Sequence, residues 1–276
     1  MRAGVSTACL FPQHTEEAFY DLALGGIECA ELFINADSDV TRPRVHTLQT
    51  LMDRFGITIP SVHPFACPIE SMMLFGSYDR RVDDMIAYYK RTFAVMQQLG
   101  ARIFVFHGNE SRFAVDTALY CERFARLAAV GREFGITVAQ ENVARCQSGK
   151  LAFLTEMRRI LGDDVHFVLD VKQAVRAGES PTQMLRTLGS SVVHIHISDH
   201  SEKGDCLLLG AGNFRIRSFL ELLHSVSPES AVILELYRSN YRGISDLVGS
   251  YRMLSHIISG IERAADAPPP ADDRLL

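Results

Sequence analysis

The chain has 276 residues, of which 47% are hydrophobic and 22% charged, and its formal net charge is -5 at pH 7. That composition supports a sizeable buried core and excludes a disordered polyelectrolyte, and the lack of a basic surplus argues against a protein that gathers nucleic-acid phosphates. No window approaches the ~20 apolar residues of a membrane helix, and the N-terminal MRAGVSTACLFPQ lacks the pattern of a secretory leader, so a soluble cytoplasmic protein is expected.

Short, β-branched apolar runs recur along the chain at 2–6, 29–34, 57–63, 102–107, 136–142, 165–170, 192–197 and 231–237. Longer segments of helical periodicity separate them. Val82, Met85, Ile86, Tyr89, Phe93 and Met96 fall on one face at steps of three and four, and Gly100 follows as a C-terminal stop. Leu119, Phe124, Leu127 and Phe134 repeat the pattern ahead of Gly135. Each such helix returns the chain to begin the next strand in the same direction, and eight parallel strands close into a barrel. A doubly wound open sheet is the alternative, but no GxGxxG turn follows the first strand. The reading is therefore α/β: a single (β/α)8 TIM barrel over residues 1–263, with a disordered Pro- and Asp-rich tail at 264–276. Two long connections, 63–78 and 198–213, are expected at the C-terminal face as lids, with Phe65, Met72, Met73, Leu74 and Phe75 excluding water. The six cysteines (9, 29, 67, 121, 146 and 206) form no CxxC pair and lie mostly in apolar runs, which predicts buried reduced thiols.

In such a barrel, chemistry sits at the C-terminal ends of the strands. Six successive strands finish with an ionisable or imidazole side chain: His63, His107, Glu141, Asp170, His196 and Glu235. A lone polar residue at a strand end ordinarily caps loop amides. Carboxylates embedded in apolar runs such as VILELY and FVLDV, however, are costly to bury unless paired, hydrogen-bonded or bound to metal. Glu141, Asp170, His196 and Glu235 would offer three oxygens and one nitrogen, a donor set suited to one divalent ion, Mn, Zn, Co or Mg, with positions left open for substrate.

At these strand ends the sequence resembles the xylose isomerase-like TIM barrel superfamily, which holds sugar and cyclitol isomerases and epimerases together with endonuclease IV-type repair enzymes. The resemblance runs from Gly4-Val5-Ser6 to about Tyr237. It rests on Val62-His63-Pro64, Phe106-His107-Gly108, Gln140-Glu141-Asn142, Leu169-Asp170-Val171, His194-Ile195-His196-Ile197-Ser198-Asp199, Leu209-Gly210-Ala211-Gly212 and Leu234-Glu235-Leu236. It implies that Glu141, Asp170, His196 and Glu235 hold one metal ion, and that Glu141 and Glu235 are the acid and base of an isomerase or epimerase. The substrate class it implies is a sugar, a sugar phosphate or a cyclitol ketone reacting through a metal-stabilised enediolate; a dehydratase would share the enolising step. The alternative is an endonuclease IV-like phosphodiesterase acting on abasic DNA, for which His63 and His107 match ligands of further metals. That branch also requires a histidine where this chain has Gln173, and another within Asp205-Cys206-Leu207-Leu208.

Around the four ligands, His63 and His107 are assigned to orienting substrate hydroxyls or the ligands themselves. Lys172, Gln173 and Arg238 are further substrate-binding candidates, Lys172 and Arg238 for an oxyanion or phosphate. His166 and His194 read as core or barrel-interior histidines. The expected partner is a small polyhydroxylated molecule, with no nucleic acid or membrane and with a homo-oligomer left open.

Overall fold

Alternate residues of a strand face opposite sides, so four strands of this sequence each carry, in a single row, an apolar middle residue and an ionisable or imidazole residue at the C-terminal end: Ile103, Val105 and His107; Thr137, Ala139 and Glu141; His166, Val168 and Asp170; Ala231, Ile233 and Glu235. The computed structural model, which describes residues 1–65 and 68–266, turns these rows inward. Its barrel strands are β1 (Arg2–Ser6), β2 (Ala30–Ile34), β3 (Ser61–Pro64), β4 (Ile103–Phe106), β5 (Thr137–Glu141), β6 (His166–Asp170), β7 (Val192–Ile197) and, after a hairpin formed by β8 (Asp199–Ser201) and β9 (Gly204–Leu207), β10 (Ala231–Leu234). All eight barrel strands pair in parallel and close in the order β1-β10-β7-β6-β5-β4-β3-β2. The barrel is therefore the TIM barrel expected from the alternation.

Val105, Ala139 and Val168 form one small buried cluster inside the barrel, and Cys29, Ala231 and Ile233 form another, both separate from the main core. They make a dry floor on which the polar ends of the same rows stand. The main core lies between the strands and the surrounding helices: α1 (Thr15–Leu24), α2 (Arg42–Phe55), α3 (Pro68–Leu74), α4 (Arg80–Leu99), α5 (Thr117–Glu133), α6 (Leu151–Leu161), α7 (Val171–Arg176), α8 (Pro181–Leu188), α9 (Ile216–Val226) and α10 (Ile244–Ala265). On α4 the predicted stripe from Val82 to Met96 is buried in full, and Gly100 ends the helix in the left-handed conformation at φ 73°. Burial of such large apolar side chains, worth ~1.5–3 kcal/mol each, fixes the helices against the barrel.

The two long connections are not simple loops. The one after β3 carries α3, and the one after β7 carries the β8–β9 hairpin. The predicted lid is corrected accordingly: Leu74 and Phe75 are buried, Phe75 stacking on Tyr120, while Met72 borders a separate apolar groove; Phe65 does face the site. The last helix continues through Ala265, and the tail expected from 264 lies outside the described residues from 267 onward. Cys67 also lies outside them, and the other five cysteines are free and buried. No helix among the described residues is long and apolar enough to cross a membrane.

Candidate metal centre

The run Gln140-Glu141-Asn142 shows how the strand ends are held. The Gln140 amide donates to the carbonyls of Phe106 (3.0 Å), His107 (3.0 Å) and Glu141 (2.9 Å), and its own oxygen accepts from Tyr120 Oη (2.6 Å). Asn142 donates to the Asp170 carbonyl (3.0 Å) and accepts from the Asp170 amide (2.6 Å). The two flanking amides thus tie β5 to β4 and β6, and Glu141 between them points the other way, into the barrel. Gly108, at φ 80°, lets the chain turn off β4 beside Tyr120, whose hydroxyl would stand 1.8 Å from any added Cβ. Asp170 serves twice: one carboxylate oxygen accepts from the Gln173 amide (3.0 Å) and caps α7, leaving the other for the site. Asp199 accepts from the amides of His200, Gly210, Gly212 and Phe214 at 2.8–3.0 Å, which shapes the loop around Leu209-Gly210-Ala211-Gly212.

His196 Nδ1 faces Glu141 Oε1 at 3.0 Å, Glu235 Oε2 at 3.5 Å and Asp170 Oδ2 at 3.8 Å. One donor atom from each of Glu141, Asp170, His196 and Glu235 lies within 4.8 Å of all the others, and all four residues are buried. Three carboxylates this close would repel one another in a dry site unless cations lie among them. The donor set therefore fits a divalent ion, with Glu141, Asp170, His196 and Glu235 as the residues that would hold it.

Behind His196 stands Glu31, fully buried on β2. Its Oε2 accepts from Ser61 Oγ (2.8 Å) and lies 2.9 Å from His194 Nε2 and 3.2 Å from His196 Nε2, while its Oε1 lies 3.5 Å from His63 Nδ1. Burial disfavours its charge, but His196 and His194 outweigh burial and hold its pKa well below the carboxylate range. With Nε2 of His196 facing Glu31, Nδ1 is left for the ligand side, the arrangement by which a carboxylate fixes the tautomer and plane of a metal-binding imidazole.

On the far side His63 and His107 touch through their Nε2 atoms at 2.6 Å. His107 Nε2 also lies 2.8 Å from Glu141 Oε2, and His63 Nδ1 lies 3.4 Å from Glu235 Oε1. Burial lowers the pKa of His107, whereas for His63 burial is outweighed by Glu235 and Glu31, which push it up to about 9. Lys172 is buried beside Asp170 and Glu235, its ammonium touching Asp170 Oδ2 and lying 2.8 Å from Glu235 Oε2. These groups form the base of a cavity of about 750 Å³, whose walls include Phe11, Phe33, Asn35, Phe65, Arg145 and Tyr237.

With that geometry in place, the sequence profile of the xylose isomerase-like TIM barrel matches residues 19–256, most of the chain. The chain belongs to the xylose isomerase-like TIM barrel family. Among relatives of this family, an uncharacterized protein of Mycobacterium leprae is 24% identical, over 89% of this chain and 92% of its own length. Among solved structures, a D-tagatose 3-epimerase-like protein superposes with a TM-score of 0.77 at 17% identity, covering 96% of this chain and all of the other. D-psicose 3-epimerase of Clostridium cellulolyticum H10 gives 0.72 at 16% identity (94% and 99% covered), and an IOLI protein with a bound zinc atom gives 0.74 at 14% (95% and 99% covered). At these identities the structural likeness establishes the fold.

In this xylose isomerase-like barrel the sequence-derived candidates Glu141, Asp170, His196, Glu235, His63, His107 and Lys172 all meet in one cluster. Gln173 and Arg238 line the cavity, and Gln173 reaches that cluster only through its backbone amide on Asp170. The Gln173 side-chain oxygen Oε1 accepts from the Ala144 backbone amide (3.0 Å) in the loop after β5, and the Arg238 guanidinium donates to the carbonyls of Tyr241 (3.1 Å) and Arg242 (3.4 Å) in its own loop. His194 is a barrel-interior histidine, in contact with Glu31, and His166 is half-buried at the start of β6. The sequence reading missed Glu31, Arg145 and Tyr237. Glu31 carried a usable signal, a carboxylate inside the apolar run Cys-Ala-Glu-Leu-Phe-Ile, the same anomaly that marked Glu235.

Proposed function

We propose that this protein is a divalent-metal-dependent isomerase or epimerase acting on a small sugar, sugar phosphate or cyclitol ketone. The observation that carries this reading is the convergence of Glu141, Asp170, His196 and Glu235 within 4.8 Å, with Glu141 and Glu235 lining an open cavity. The epimerases among the structural neighbours support it, as does the zinc bound in another neighbour, the IOLI protein. When bound, the ion polarises the substrate carbonyl and makes the adjacent C–H acidic. Glu141 and Glu235 each turn one oxygen toward His196 and the other toward a histidine: Oε2 of Glu141 to His107, and Oε1 of Glu235 to His63. Those outer oxygens are the positions at which the substrate proton is taken up and returned. Removal by one glutamate and return by the other inverts a centre; removal and return by one glutamate moves the proton to a neighbouring carbon. Phe33 and Phe65 on the cavity wall keep water from the reacting carbons.

His63, His107 and Glu141 also offer donor atoms within 4.8 Å of one another, which favours a second reading, a multi-metal phosphodiesterase of the endonuclease IV kind. Metal content separates the two. Plasma mass spectrometry should give about one divalent ion per chain, lost in Glu235→Gln and Asp170→Asn, with turnover found in a panel of ketoses, aldoses and inosose-like ketones. Two or three ions together with cleavage of abasic DNA would replace the isomerase reading, and no ion after addition of Mn or Zn would remove both.

A further inference from the structure

The three oxygens that face His196 Nδ1 are Glu141 Oε1, Asp170 Oδ2 and Glu235 Oε2. The Lys172 ammonium sits on two of these same atoms, Asp170 Oδ2 and Glu235 Oε2. It does not occupy the spare oxygens: Asp170 Oδ1 is engaged by the Gln173 amide, and Glu235 Oε1 faces His63. A lysine at this position is short of alternatives, because it lies on the first turn of α7, two residues after Asp170, and is 4% exposed.

We infer that Lys172 is a tethered cation that competes with the divalent ion for Asp170 and Glu235 and, when the ion binds, moves onto the face of Tyr237, where it becomes an oxyanion contact for the substrate. This rests on the proposed metal site. The electrostatics are direct: an ion bound to those two oxygens and an ammonium touching them are like charges at contact range in a buried site, so each weakens the other. The landing place is already built. The Tyr237 ring centroid lies 5.7 Å from Lys172 Nζ, within reach of a cation–π contact, and the ring borders the cavity. Tyr237 is itself fixed: its hydroxyl accepts from Arg176 (2.8 Å), and Arg176 is clamped bidentately by Asp205 at 2.7 and 2.8 Å. A lysine is suited to such a shift, since its ammonium is a point charge on a flexible stem.

The test measures Mn(II) affinity, not turnover, by competition with a chelator for wild type, Lys172→Met and Lys172→Gln. The variants should bind Mn(II) tighter by about tenfold or more, since the competing cation is gone. Wild type that binds Mn(II) with variants that bind no tighter overturns the inference and leaves the metal site standing; no Mn(II) on any of the three removes both. The wild type alone supplies a second readout if the variants fold poorly. Reductive dimethylation of Lys172, followed by peptide mass mapping, should run several-fold faster with saturating Mn(II) than in chelator-treated protein. An equal or slower rate with Mn(II) overturns the displacement.

Discussion

Glu31 sets a limit on how far the four-ligand description of the site goes. It does not line the cavity and is not one of the four candidate ligands, yet it is the group that orients His196 from behind and keeps His194 and Ser61 in register beneath it. Replacing it with glutamine preserves shape while removing the charge that fixes the imidazole. Glu31→Gln should weaken divalent-metal affinity by roughly 10–100-fold, the usual loss for such outer partners, with the far-ultraviolet circular dichroism unchanged. Unchanged affinity in a folded Glu31→Gln protein would mean that His196 is held by packing alone. This residue also shows where sequence reading stopped. Glu141, Asp170, His196 and Glu235 were legible because each ends or nearly ends a strand, where barrel chemistry is looked for. Glu31 is the second residue of β2, away from the strand ends at which barrel chemistry is legible, although its apolar flanks are as anomalous as theirs.

At the scale of elements, what was legible followed burial. The α4 stripe and the glycine that ends the helix could be read directly, because a buried face imposes a period. The β8–β9 hairpin and α3 could not: both are short, lie on the rim of the barrel, and owe their form to tertiary partners such as Asp199. On α3, Glu70 is buried and accepts a hydrogen bond from Tyr89 Oη on α4. Burial, only partly offset by His63 and Arg145, pushes its pKa up from 4.5 to about 8. An acid whose pKa rises on folding keeps a proton that the unfolded chain releases, so stability is lost as pH climbs from about 4.5 to about 8 and levels off above that. Glu70→Gln removes this titration while keeping an acceptor for Tyr89. Between pH 5 and pH 8.5 the stability difference should move in favour of Glu70→Gln by on the order of 2–4 kcal/mol, measured by urea unfolding at each pH. A difference that stays flat with pH would show that Glu70 is already ionised in the folded protein.

Across the whole molecule, the barrel makes the site and the fold one cooperative object. The candidate ligands come from β5, β6 and β7 and from the residue after β10, spanning 141 to 235, and the register pairs Asp170 with His196 across β6 and β7. Strand β10 in turn pairs with β1, so the last of these strands also closes the barrel. An ion held by Glu141, Asp170, His196 and Glu235 therefore binds only when distant parts of the chain are in place, and the unfolded chain offers nothing equivalent. A ligand of this kind stabilises by mass action, about 2.7 kcal/mol when present at a hundred times its Kd. For a chain of this length that corresponds to a rise in Tm of roughly 5–10 °C, seen as one unfolding transition displaced as a whole. Asp170→Asn removes a charged ligand but keeps a side-chain acceptor for the Gln173 amide, so the shift should vanish while the fold persists. Calorimetry of wild type and Asp170→Asn with and without Mn(II) decides the matter. An equal rise in both would place the ion elsewhere on the protein, and a second transition appearing only with Mn(II) would mean that part of the barrel unfolds independently of the site.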